Sequence, residues 1–210
     1  MDTLAHLGTA LGLSLASGLS LYGAAFLTGL AIDLGWVQLA PQFEPLRVLG
    51  EPIVLLVAGG LFGVEFFADK IPWLDSAWDT VHTVIRPIGG ALLAIRVFGD
   101  LSPVAEVVAL LLLGGVSLAA HGAKASLRLT ANASPEPFSN WLLSFTENGL
   151  VVAIVWLALG HPILALALGL AGLALALTLV VWLGRRAVLA FRGFRVRARA
   201  RFPAGPGRLG

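Results

Sequence analysis

The chain has 210 residues, of which 58% are apolar and only 12% charged, about half the charged share of an average soluble domain. With a mean hydropathy of +0.89, this composition excludes a soluble globule, and the continuous apolar runs exclude a membrane β-barrel, whose strands alternate over about 10 residues. Cysteine is absent, so a disulfide framework and thiol chemistry are excluded.

In chain order, Met1-Asp-Thr-Leu-Ala-His6 lacks a basic n-region, so the first apolar run reads as a membrane helix over Leu7–Ile32 and not as a cleaved signal peptide. It holds Gly8-x-x-x-Gly12 and Ser17-Gly18-Leu-Ser20. Such small residues serve close helix packing, or mark a helix broken near Gly18 and Ser20 that bares backbone groups toward a site. Residues 34–51 form a polar, Pro-containing connection. A second helix is expected over Pro52–Asp69 and a third over Asp75–Phe98, where Pro87 permits a kink. Ser102-Pro103 opens a fourth with Ser as N-cap and Pro at N1, continuing to about His121 or beyond. Residues 130–139 read as a loop, Asn140–Leu159 as a fifth helix, Gly160-His161-Pro162 as a tight turn and Ile163–Leu183 as a sixth, lipid-facing helix. Within that helix, no residue is charged.

The expected fold is therefore all-α: a polytopic transmembrane bundle of about six helices in residues 1–184. A basic, disordered cytoplasmic tail is expected over 185–210. Residues 1–184 contain 6 Lys/Arg and all 12 Asp/Glu, whereas the tail contains 8 Arg and no acid. Six crossings put both termini on one side, which the positive-inside rule makes cytoplasmic. Two three-helix halves of inverted orientation fit this count, and Ser17-Gly-Leu-Ser-Leu21 matches Gly114-Gly-Val-Ser-Leu118 across them.

Charge concentrates between Glu65 and Arg86. Asp75, Asp79, His82 and Arg86 fall at i, i+4, i+7 and i+11, on one stripe of a helix. Glu65 and Asp69 lie one turn apart, with Lys70 beside them. His121, Lys124 and Arg128 make a further stripe with Ser117, and Glu147 and Asn148 enter the fifth helix. Ionisable groups at membrane depth face one another or a wet cavity, so Glu65 or Glu147 is expected to pair with Arg86 or Lys124. Either these are static ion pairs locking helices together, or a partly desolvated carboxylate beside an exchangeable partner serves proton or cation coupling. No His pair has metal-ligand spacing, and zinc-helix, nucleophile-elbow and Walker patterns are absent from the sequence.

Glu65-Phe-Phe-Ala-Asp69-Lys70-Ile-Pro72, Trp78-Asp79, Arg86-Pro87 and His121-Gly-Ala-Lys124 together resemble the bacterial inner-membrane family catalogued as domain of unknown function 4126, over roughly residues 12–160. The resemblance implies a multi-pass membrane protein and brings no activity with it. A looser likeness is to cation/proton exchangers carrying Glu-x-Gly-Asp-Lys/Arg. Here Glu65 and Asp69 stand one residue further apart, without the Gly, which leaves analogy only.

The expected function is a small ion or solute transporter or channel, proton-coupled, with a charged cavity open to the cytoplasm. A non-catalytic scaffold or accessory subunit and a lipid-modifying membrane enzyme are the alternatives. No cofactor is expected. The expected partners are the lipid bilayer, anionic lipid at the Arg tail and a small ion or solute, with no nucleic acid. The small-x-x-x-small faces are compatible with a homodimer.

Overall fold

The computed structural model describes residues 2–37, 41–132 and 137–201, and all regular structure among them is helical. The helices are α1 (Asp2–Leu19), α2 (Leu21–Asp33), α3 (Pro52–Ala68), α4 (Pro72–Ile95), α5 (Pro103–Asn132), α6 (Pro137–Gly160) and α7 (Pro162–Arg201). Short 3₁₀ segments lie at Pro41–Gly50 and Arg96–Phe98. Each of α3 to α7 opens on a proline, whose fixed φ suits the first helical position and whose missing N–H would be unpaired there anyway.

Spans Pro72–Phe98, Pro103–Ala131, Asn140–Gly160 and Pro162–Arg186 are long and apolar enough to cross a membrane. Phe43–Gly50 and α3, bent by 73° to each other, make a fifth when taken together. The protein is a multi-pass membrane protein. Trp36, Trp73, Trp141, Trp156 and Trp182 are exposed, as aromatic residues are at membrane interfaces. α7 continues as helix through Arg201, into the stretch where the composition suggests a basic tail. Residues 202–210, the rest of that expected tail, lie outside the described residues, as do 133–136 of the expected loop.

The first apolar run departs most from expectation. It is two helices, separated at Ser20. There the backbone is extended (φ −151°, ψ 104°), and the Ser20 hydroxyl accepts from Gly23 N–H at 3.0 Å, capping α2. The two helices run in opposite senses through the bundle. At the start of α1, the His6 ring lies 5.3 Å from that of Phe43 and 6.2 Å from that of Phe98. Thr9 donates to the Ala158 carbonyl at 2.7 Å, and Gly8 abuts the carbonyl of Pro162. Those partners all sit at one face of the bundle, here the linker face. α1 then descends beside α5, with Ser14 donating to the Leu113 carbonyl and Gly18 against that of Ser117. α2 climbs back along α3: Phe26 stacks on Phe62, Gly29 meets the Leu49 carbonyl and Ile32 approaches Gly50.

α1 and α2 thus form a re-entrant hairpin with both outer ends at the linker face and its tip inside the bundle. The opposite face carries the α3–α4 turn and the end of α7, and is called the tail face. The expectation of one span over Leu7–Ile32 is corrected: two shorter helices stand there, and the start of α1 and the far end of α7 lie at opposite faces of the described bundle. The inverted halves are corrected too. α1 and α5, which carry the matching segments, run parallel, since Ser14, Gly18 and Leu19 meet Leu113, Ser117 and Lys124 in that order.

The apolar core surrounds the upper part of this hairpin, through Leu13, Ala16, Ala24, Leu93, Val97 and Val155. Gly18 stays helical and permits the close crossing instead of making the break. A Cβ there would stand 2.3 Å from the Ser117 carbonyl oxygen. Pro87 does not interrupt α4 either.

Candidate functional site

The hairpin tip, Leu19-Ser20-Leu21, ends in a buried cluster of charge built by α3, α4, α5 and α6. The 3.6-residue period of α4 sets Asp75, Asp79, His82 and Arg86 on one inward stripe, and all four are buried. Glu65 and Asp69 close α3, His121, Lys124 and Arg128 project from α5, and Asn140, Ser144 and Glu147 from α6. Arg86 and His121 are 0% exposed, Glu65 is 1% and Glu147 8%. Arg86 lies fourteen residues into α4, roughly 21 Å of helix from Pro72.

The cluster has two layers. In the deeper one, Arg86 holds Glu65 at 2.6 Å and Asp79 at 3.0 Å, with its Nη1 also 2.7 Å from Nδ1 of His121. A guanidinium only donates, so Nδ1 must accept, and the imidazole is neutral with its proton on Nε2. That proton points to the Thr83 hydroxyl at 3.1 Å, which itself donates to the Asp79 carbonyl at 2.9 Å. The Ser20 hydroxyl donates to the other oxygen of Glu65, so the hairpin tip is bonded to the deep carboxylate. Arg86 Nε is buried with no hydrogen-bond partner among the described residues.

In the layer nearer the tail face, Arg128 grips Glu147 in a bidentate pair at 3.0 and 2.6 Å, and donates to the backbone carbonyl of Asp69 at 2.7 Å. Asp75 lies 3.9 Å from Arg128. Lys124 reaches both oxygens of Asp69 at 3.3 and 3.2 Å, Glu147 at 3.5 Å and, at 3.2 Å, the carbonyl of Leu19 where α1 stops. That last bond satisfies a backbone acceptor exposed by the end of a helix.

A family model matches residues 7–186 of this chain. The chain belongs to the family described as Domain of unknown function (DUF4126). The DUF4126 match includes the sixth apolar run, beyond the 12–160 stretch that the motifs alone cover. No curated protein and no solved structure matches the chain.

In this DUF4126 chain, the remaining residues singled out from the sequence sit around the cluster. His82 is buried, but its Nδ1 donates to the Trp78 carbonyl at 2.8 Å while its Nε2 faces the Tyr22 hydroxyl at 3.3 Å. Its ring stacks on Trp78 with centroids 4.5 Å apart. Lys70 is half-buried at the edge, donating to Ser144 and to the Phe66 carbonyl, with its ammonium 3.1 Å from the Phe66 ring centroid. Asn148 bonds within its own helix, to the Ser144 carbonyl. Among the described residues no group of three or more His, Asp or Glu is arranged to hold a metal.

Among the described residues most of the charged side chains pair with one another. Arg86 Nε is an exception, and an apolar groove between α1, α5, α6 and α7 meets the charged cluster at Lys124 and Glu147. The residue that sequence reasoning undervalued is Tyr22, whose hydroxyl and ring border His82 and Trp78. Its signal was an isolated tyrosine two residues past a candidate helix break.

Proposed function

We propose that this protein is a small-ion or solute transporter of the bacterial inner membrane, proton-coupled and held here with its site closed. The observation that carries the reading is the re-entrant hairpin whose tip is bonded into the buried charge cluster. Ending two helices inside a membrane protein exposes backbone groups that cost several kcal/mol each unless protein or a wet site satisfies them. Transporters place such broken helices at the site they open and close. Here Lys124 and Ser20 bond the tip to Asp69 and Glu65, so any movement of α1–α2 breaks contacts with the very groups that would bind an ion.

Charge balance supports the proton. Among the described residues the cluster buries five carboxylates (Glu65, Asp69, Asp75, Asp79 and Glu147) against three cations (Arg86, Lys124 and Arg128), with His121 neutral by its contact to Arg86. A surplus of two negative charges in apolar surroundings is costly, and bound protons or a small cation would remove it. Arg86 Nε, buried and without an acceptor, would suit an anionic group beside the tip.

The test is flux through proteoliposomes under an imposed pH gradient, across a panel of cations and small anions, comparing wild type with Glu65→Gln. Transport predicts flux in wild type that falls at least tenfold in a folded variant. A second reading, a static bundle whose ion pairs lock helices as a scaffold, is favoured by the near-complete pairing of the cluster. It predicts no flux for any solute, with Glu65→Gln lowering thermal stability only.

A further inference from the structure

The three cations of the cluster are held in two different ways. Arg86 and Arg128 are guanidiniums, and each reaches a carboxylate at 2.6 Å, as close as charge-assisted bonds come. Lys124 has no such single partner. Its Nζ stands 3.2 Å from the Leu19 carbonyl, 3.3 and 3.2 Å from the two oxygens of Asp69 and 3.5 Å from Glu147. Those oxygens come from the end of α1, the end of α3 and α6, and the lysine itself is buried. A charge-assisted N–H···O bond is ordinarily about 2.7–2.9 Å long, so the ammonium is aimed at no one of them. It sits among four oxygens as a free cation sits among its ligands.

The chemistry of the group suits that position. An ammonium is a compact point charge with three donors, whereas a guanidinium is a planar fork. The Leu19 carbonyl belongs to the last turn of α1, where backbone acceptors are left over and the helix dipole favours a positive charge. Broken membrane helices offer such carbonyls to bound cations. Around the site stand Glu65 from α3, Arg86 from α4 and, on α5 itself, His121 and Arg128.

We propose that Lys124 is the latch of the re-entrant hairpin, a tethered cation whose charge draws the end of α1 against Asp69 and Glu147. The oxygens that it fills then accept a small free cation once the side chain is cut back. Lys124 and Glu147 also border the apolar groove between α1, α5, α6 and α7, which gives a small amine a way in. With its own ammonium in place, the hairpin closes without a free metal cation. The proposal does not rest on the transport reading, and its test needs no flux.

The test reads the tip directly. Leu21→Cys replaces a half-buried residue just past Ser20 and supplies the single thiol of a chain that has no cysteine. Its rate of alkylation by N-ethylmaleimide is followed in detergent. Adding Lys124→Ala is expected to raise that rate at least tenfold. Methylammonium is expected to lower it again at least fivefold. Tetramethylammonium at the same concentration, equally charged but bulky and without an N–H, is expected to leave it raised. Lys124→Gln, similar in length and able to donate but neutral, is expected to react as fast as Lys124→Ala, and decides the matter if that variant does not fold. A folded Lys124→Ala protein whose tip reacts no faster than with lysine in place overturns the proposal. Slow reaction in Lys124→Gln does so too, since a hydrogen bond alone would then hold the tip. No slowing by methylammonium, or equal slowing by both ions, overturns it as well: the oxygens then take no free cation, or respond to ionic strength only.

Discussion

Arg86 is the residue on which the deep layer depends, and the side chains around it are unequal in what their loss would cost. It neutralises Glu65 and Asp79 together and supplies the bond that keeps His121 neutral. Removing it leaves two buried carboxylates unpaired, and breaking a buried pair in this way costs about 3–5 kcal/mol. Glu65→Gln removes one charge but keeps an oxygen for Arg86, which retains Asp79. Arg86→Met is therefore expected to lower stability by about 3–5 kcal/mol and Glu65→Gln by about 1–2 kcal/mol, read as thermal unfolding in detergent. Equal effects, or a neutral Arg86→Met, would mean that the deep carboxylates are already protonated and need no guanidinium. The residues of this layer were legible in the sequence: the spacing of Asp75, Asp79, His82 and Arg86 fixes a common face, and the cost of charge in lipid turns that face inward. The partners were legible in part: Glu65 takes Arg86 and Glu147 reaches Lys124, among the pairings expected, whereas the Lys124–Asp69 and Arg128–Glu147 pairs join different helices whose register the sequence does not give.

Between elements, the hairpin is held by close approach and not by charge alone. Gly18 sits where α1 crosses α5, with the Ser117 carbonyl oxygen 2.3 Å and the Ala120 methyl 2.6 Å from an added Cβ. Backbone cannot yield as a flexible side chain can, so Gly18→Leu has to push α1 off α5 and lift the tip from Lys124. A loss of about 1–3 kcal/mol is expected. Gly63→Ala is the matched control, since nothing lies within 4 Å of its added Cβ, and it is expected to change stability by less than about 0.5 kcal/mol. Paired melting curves separate the two. Gly59, one turn before Gly63 on α3, differs from it: a Cβ there would meet the Phe26 ring. The break at Ser20 was hidden in the pattern. Hydropathy reports solvent, not direction, and an uncharged run of twenty-six residues from Leu7 to Ile32 suits a single span as well as two shorter helices. The bonds that favour the hairpin join Ser20 to a residue 45 positions away and Leu19 to one 105 away.

For the whole molecule, the hairpin changes the parity of the chain. With α1–α2 entering and leaving by the linker face, the described residues offer five crossings when the bent Phe43–Ala68 pair is taken as one span with α4 to α7, an odd number. The tail face carries Lys70, Arg185 and Arg186, while the linker face carries Arg47 and Arg96 among Asp33, Glu44, Glu51 and Asp100. By the positive-inside rule the tail face is expected in the cytoplasm and the start of α1 outside. Because the chain has no cysteine, single-cysteine variants can be read without background. Thr3→Cys and Trp36→Cys are expected to react with a membrane-impermeant maleimide from outside right-side-out vesicles. Trp73→Cys and Leu189→Cys should react only after permeabilisation. Thr3 decides between the two arrangements, because a single span over Leu7–Ile32 would hide it inside with Leu189 while leaving Trp36 outside. Protection of Thr3 together with Leu189 would therefore remove the re-entrant hairpin, and with it the observation on which the transport reading rests.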